Sequence, residues 1–283
     1  MPARRRASPP LSCSPMTGVC VLSPDQSQHV TWWVQAAQLG LQSLANPQKA
    51  PEMQAYMKTQ MPFYGVPAPE RARLLAQLKS AEPIRSPEVY ESVVRQLWAL
   101  PHREEKYMAI AVARSAPNFI KTEALPLYEH MIRSGAWWDF VDELAQHLVG
   151  TALAAEPERV YPVLDAWILH DDLWLRRTAL LAQNRLRIHT DETRLFRYVL
   201  TCAHEKEFFI RKGIGWALRE YAYVHPERVE SFVHAHQQQL SGLSVREALK
   251  NIEKRRHRRA SPTPSEPHEI HSSSPDSEEE EDT

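Results

Sequence analysis

Apolar residues along most of this chain recur every three to four positions, in runs of about ten to fifteen residues, and few alternating runs interrupt them. That period buries one face of a helix, so the pattern predicts an all-α protein. Turn and cap signals divide the runs into about twelve or thirteen helical segments. They are Asn46-Pro47, Pro67-Ala68-Pro69-Glu70, Ser86-Pro87-Glu88, Glu156-Pro157-Glu158, Asp191-Glu192 and His225-Pro226-Glu227. Proline just inside a helix, with an acid after it, matches the free N–H groups and positive dipole end found there. One segment opens on Trp137-Trp138-Asp139-Phe140-Val141-Asp142. Trp137, Val141, Leu144 and Leu148 fall on its apolar stripe, with Phe140 beside it. Trp138 and Asp142, four apart, share a face turned about 100° away. A large aromatic and a carboxylate thus point together away from the expected core.

A longer period lies over the helical one. Arg176, Arg211 and Arg246 recur at intervals of 35 residues, each near a helix start, and Asp142 stands 35 before Arg177. Such a period predicts helix pairs stacked into a solenoid, each burying its apolar face on its neighbours. The aliphatic-Arg signature at the start of the second helix resembles a HEAT repeat. Equivalent positions then line one concave face, so Trp138, Asp142, Arg177 and Trp216 share a groove. In the segment near 207–224, Ile210, Ile214, Ala217 and Tyr221 form the apolar stripe. Trp216 lies off it, with Lys212 and Arg219 on its own face. Gly213 and Gly215 fit either close approach by a bulky ligand or tight packing of two helices. Asp142 fits either an ion pair with Arg177 between repeats or a reactive carboxylate.

Composition changes the picture at the ends. The 283 residues carry a formal charge of −1, but residues 260–283 hold eight acids and no Lys or Arg. The rest of the chain is therefore basic, which suits a polyanionic partner. Residues 1–24, rich in Pro, Ser and Arg, are expected to be disordered and fit a transit peptide or a basic arm. Residues 25–256 form the solenoid. Residues 257–283 are expected to be a disordered basic-then-acidic tail whose cluster Lys254-Arg255-Arg256-His257-Arg258-Arg259 fits a nuclear signal or a favourably charged helix end. No run of about 18 apolar residues predicts a membrane span. Cys13, Cys20 and Cys202 have no metal-ligand spacing, and His234 and His236 face different ways, so no metal or other cofactor is expected. The cysteine usage points to a reducing, intracellular setting.

Two aromatics, a carboxylate and several cations on one face suit nucleic acid carrying a cationic lesion. Cations hold phosphates, aromatic faces attract positive charge, and a carboxylate stabilises an oxocarbenium-like sugar. In order, Tyr56-Met57-Lys58, Phe63-Tyr64-Gly65-Val66, Arg95-Gln96-Leu97-Trp98, Trp137 to Asp142, Trp174-Leu175-Arg176-Arg177 and the run Lys206 to Tyr221 resemble motifs of the AlkD-type DNA alkylation repair glycosylases. The resemblance covers about residues 30–255. It implies a monofunctional enzyme that removes N3- and N7-alkylated purines from double-stranded DNA, acting on the sugar side without a base-specific pocket. The family's cleft tryptophans fall on Trp138 and Trp216, its catalytic aspartate on Asp142 and a backbone-contacting arginine on Arg177. Lys212, Arg219, Arg176, Arg211 and Tyr56 join Arg177 as expected DNA contacts, in a protein expected to be a monomer. A non-catalytic DNA-binding scaffold and a protein-interaction solenoid are the rival expectations for the same fold.

Overall fold

The computed structural model describes residues 22–260. Expectations for residues 1–21 and 261–283, including the acidic tail, lie outside them. Fourteen α-helices and no strand occur among the described residues. They are α1 (Pro24–Ser43), α2 (Lys49–Met57), α3 (Ala68–Ala81), α4 (Pro87–Ala99), α5 (Arg103–Arg114), α6 (Leu125–Gly135), α7 (Trp138–Leu144), α8 (Gly150–Ala155), α9 (Pro157–Trp167), α10 (Leu173–Leu181), α11 (Glu192–Cys202), α12 (Phe208–Tyr221), α13 (Pro226–Ala235) and α14 (Gly242–Ala260). The last helix runs past the boundary expected at residue 256 and carries the Lys254–Arg259 cluster along it.

Helix starts sit on the turn signals of the sequence. Ser23 closes a capping box with Gln26, and the Ser86, Asp172 and Asp191 side chains accept N–H bonds at the starts of α4, α10 and α11. Each satisfies donors that a helix leaves open at its N-terminus. Helices α5, α7, α10, α12 and α14 begin at residues 103, 138, 173, 208 and 242. The interval between successive second helices is thus 35 residues, and 34 at the last step. Each packs on the next, and α4, α6, α9, α11 and α13 pack against α5, α7, α10, α12 and α14 in turn. This is a helical repeat solenoid. One core runs through it, from Trp33 and Leu41 through Phe140, Leu144 and Leu175 to Ile214, Leu218 and Ala248.

Three details near α7 differ from the sequence pattern. Trp137 is the residue before the helix, with extended backbone, and not the first of its stripe. It is half-buried against Trp174 and Phe209, with ring centroids 6.3 and 5.7 Å away. Ahead of it, Ala136 ends α6 in the left-handed conformation (φ 39°), which costs a residue with a Cβ on the order of 1–2 kcal/mol. That sharp turn sets where Trp138 enters α7. After Leu144 the chain makes a π-helical turn over Ala145–Val149 before α8, so the stripe slips in phase there while Leu148 stays buried.

Candidate active site

The helix phase places Val141 and Leu144 in the core and leaves Trp138 half-buried at its edge. On α12 the stripe Ile210, Ile214, Ala217 and Tyr221 is buried, and Trp216 is again half-buried beside it. Both tryptophans line one cleft of about 350 Å³, together with Arg177, Lys212, Arg219 and Glu247. Phe208 and Phe209 complete its wall, and Phe208 is exposed. The period therefore brings α7, α10, α12 and α14 to one site.

Asp142 sits behind the cleft wall and does not line it. Arg177 holds it in a two-pronged ion pair, donating from Nε to Oδ1 at 2.7 Å and from Nη2 to Oδ2 at 2.8 Å. A third donor, Nη1, goes to the backbone oxygen of Phe209 at the start of α12. The two side chains are only 5% and 13% exposed, so the pair is largely desolvated. Burial pushes the Asp142 carboxyl above its ordinary value, and the hydrogen bonds and charge of Arg177 pull against that. The ion-pair reading of Asp142 is thus realised in the free protein. The guanidinium keeps two of its five N–H groups beyond these contacts, and each carboxylate oxygen keeps a lone pair.

Lys212 and Arg219 are also engaged. The Lys212 ammonium lies 2.6 Å from Glu247 Oε1, and Arg219 Nη1 lies 2.5 Å from Oε2. Lys212, and then Arg219, hold the Glu247 carboxyl below its ordinary value against the effect of burial. Trp216 donates from Nε1 to Glu220 at 3.1 Å, and Arg187 steadies Glu220 from 3.4 Å. Glu247, Glu220 and Phe208 were not among the sequence candidates. Glu247 carried a usable signal, since it stands 35 residues after Lys212, as Arg177 does after Asp142.

Other candidates lie elsewhere. Arg176 is outside the cleft, bound to both oxygens of Glu205 at 2.9 and 2.7 Å and to the carbonyls of His170 and Asp171. Arg211 is half-buried outside it, with a partnerless buried Nε. Tyr56, 74% exposed, borders a second cleft of about 460 Å³ with Met53, Phe63, Arg71 and Asp139. Asp139 is held there by Arg103 and Tyr107. The two glycines of α12 serve packing. A Cβ on Gly215 would stand 2.5 Å from Glu247 Cβ and 2.9 Å from the Ser244 carbonyl, and one on Gly213 would stand 3.2 Å from Arg177 Nη1. Close approach by α14 and by the Arg177 guanidinium, not by a ligand, accounts for them.

The sequence of residues 37–252 matches the model of a family described as DNA alkylation repair enzyme. The chain belongs to that family. Its fold is similar to the solved structure of a predicted DNA alkylation repair enzyme from Enterococcus faecalis, at 31% identity and a TM-score of 0.69. The match covers 74% of this chain and 97% of that one. Among curated proteins none matches. Family membership gives the protein a role in the repair of alkylated DNA, with DNA as substrate. Among the described residues, no helix is long and apolar enough to cross a membrane, and no group of three or more potential metal ligands occurs.

Proposed function

We propose that this protein is a monofunctional DNA glycosylase that releases cationic N3- and N7-alkylated purines from duplex DNA. One observation carries the reading. Two off-core tryptophans share a single cleft with Arg177, and Arg177 is joined directly to the Asp142 carboxylate. Trp138 and Trp216 present aromatic faces to the lesion's deoxyribose and its positive charge, each contact worth roughly 0.5–2 kcal/mol. Arg177 keeps two N–H groups with which to hold the lesion's backbone phosphate while bound to Asp142.

The chemistry asks little of the protein because the base is already cationic. The C1′–N bond breaks, its electron pair neutralises the base, and no general acid is needed. Positive charge develops on the sugar ring, where the Asp142 carboxylate stabilises it. Water, oriented by the free lone pairs of Asp142, adds its oxygen to C1′ and gives up a proton to that carboxylate and on to solvent.

One observation favours a second reading, a DNA-binding scaffold without catalysis: Asp142 is set back from the cleft, with both oxygens bound by Arg177. A base-release assay separates the two. Methylated duplex should lose its alkylpurines and undamaged duplex should not. Asp142→Asn should abolish release while its affinity for DNA stays within a few-fold. Binding without release by the wild-type protein supports the scaffold, and full release by the variant removes Asp142 from the mechanism.

A further inference from the structure

Four charged residues occupy the same position in four successive second helices. Asp142 on α7, Arg177 on α10, Lys212 on α12 and Glu247 on α14 are the fifth residue of their helices or, at α14, the sixth. Along the solenoid their charges read minus, plus, plus, minus. The first two pair across 35 residues, and so do the last two. Between the pairs, Arg177 and Lys212 form a step of two like charges in the wall of the cleft that Trp138 and Trp216 frame. Like charges on neighbouring elements repel, so this step is the place in the column where an added anion gains most.

The two pairs differ in how firmly they are closed. Asp142 and Arg177 are almost fully buried, and Arg177 is further anchored to Phe209. Lys212 and Arg219 are 38% and 20% exposed, and Glu247 is reached from the cleft. Glu247 binds both cations with one oxygen each, the arrangement in which two oxygens of a phosphodiester would bind them. Glu247 itself is 17% exposed, close to Asp142 at 13%, so the difference lies in the cations: the Lys212 ammonium reaches solvent, where an ion pair contributes less than a buried one.

We propose that Glu247 is a displaceable counter-ion, standing in the free protein where a backbone phosphate of DNA is held by Lys212 and Arg219. The proposal rests on the reading of this cleft as a DNA-contacting site. Its consequence is selectivity. Every duplex must displace Glu247 before the two cations engage, which weakens binding to undamaged DNA. A lesion held in addition by the tryptophans and Asp142 overcomes that competition.

The test is binding of undamaged and methylated duplexes by fluorescence anisotropy, over a range of salt, with wild type, Glu247→Gln and the double variant Lys212→Gln/Glu247→Gln. Glutamine keeps the shape and the hydrogen-bonding oxygen and removes the competing charge. Glu247→Gln should bind undamaged duplex about five- to tenfold more tightly at low salt. Its log-affinity should fall more steeply with log salt, by about one further counterion, because the phosphate contact is no longer offset by a freed carboxylate. Preference for methylated over undamaged duplex should narrow. The double variant should lose the gain, and it remains informative if the two cations left facing each other impair folding of the single one. A strut between helices would move stability and not the salt slope. Equal or weaker binding by Glu247→Gln, with base release by wild type intact, overturns this proposal alone. No duplex binding by wild type overturns it together with the proposed function.

Discussion

Removing either partner of the buried Asp142–Arg177 pair should destabilise the fold, and removing both should not. Asp142→Leu leaves a guanidinium 5% exposed with the Phe209 carbonyl as its remaining partner. Arginine cannot shed its proton to escape burial, so the variant should lose about 3–5 kcal/mol. Against a total of about 5–15 kcal/mol for a domain, that is a large fraction. Arg177→Met strands a carboxylate instead, but one that burial already pushes towards the neutral acid. Protonation limits its cost to about 1.4 kcal/mol for each unit by which the ambient pH exceeds the ordinary carboxylate value of the unfolded chain, so that cost should shrink from pH 8 to pH 5. The double variant Asp142→Leu/Arg177→Met exchanges the pair for apolar groups and should be close to wild type or more stable. Urea unfolding of the four proteins at both pH values closes the cycle. A cost under about 1 kcal/mol for Asp142→Leu, or a double variant less stable than both singles, would refute the account of the pair as a desolvated ion pair. The same numbers bear on the Asp142→Asn assay, which must be run well below the variant's unfolding midpoint.

Two further outcomes follow from the same geometry. In the proposed mechanism base release requires the Asp142 carboxylate, whose pKa is raised, so activity should fall with acid at a pH above the ordinary carboxylate value of about 4, and Arg177→Gln should move that limb higher; a kcat–pH profile that is flat down to pH 4 would contradict it. Gly215→Ala should lower stability by about 1–3 kcal/mol in thermal unfolding, despite the better helix propensity of alanine, because its Cβ meets the Ser244 carbonyl and the Cβ of Glu247; Gly213→Ala, whose nearest contact is the end of the Arg177 side chain, should cost less.

The architecture was legible because two periods are written in the side chains themselves. The 3.6-residue stripe located α12 and put Ile210, Ile214 and Ala217 inside, and the 35-residue interval put Asp142 and Arg177 at equivalent positions, which made their ion pair one of two open readings. Failures arose where a side chain's destination depends on a neighbour that the helix phase does not name. Arg176 and Arg177 are adjacent, yet one reaches Glu205 in the turn between α11 and α12 and the other reaches α7. Gly213 and Gly215 are consistent with a ligand or with another helix until α14 and Arg177 are seen against them. Trp137 was assigned to a stripe that begins only after it, because the left-handed turn at Ala136 delays the helix by a residue. Glu247 was overlooked for a different reason: an acid on a solvated helix looks ordinary, and only the interval to Lys212 marks it.

The charge column makes the groove's chemistry a matter of order as much as of inventory. Exchanging Lys212 with Glu247 would preserve composition, net charge and an ion pair of opposite charges across the same two helices. It would nonetheless turn minus, plus, plus, minus into a strict alternation in which every charge is matched by its neighbour and no step is left for an outside anion. A solenoid of this kind can therefore gain or lose a polyanion site by permuting residues among equivalent positions, with its core untouched. In such a fold the affinity of a surface is carried by a frustrated boundary between repeats, and the repeats themselves can each be electrically satisfied.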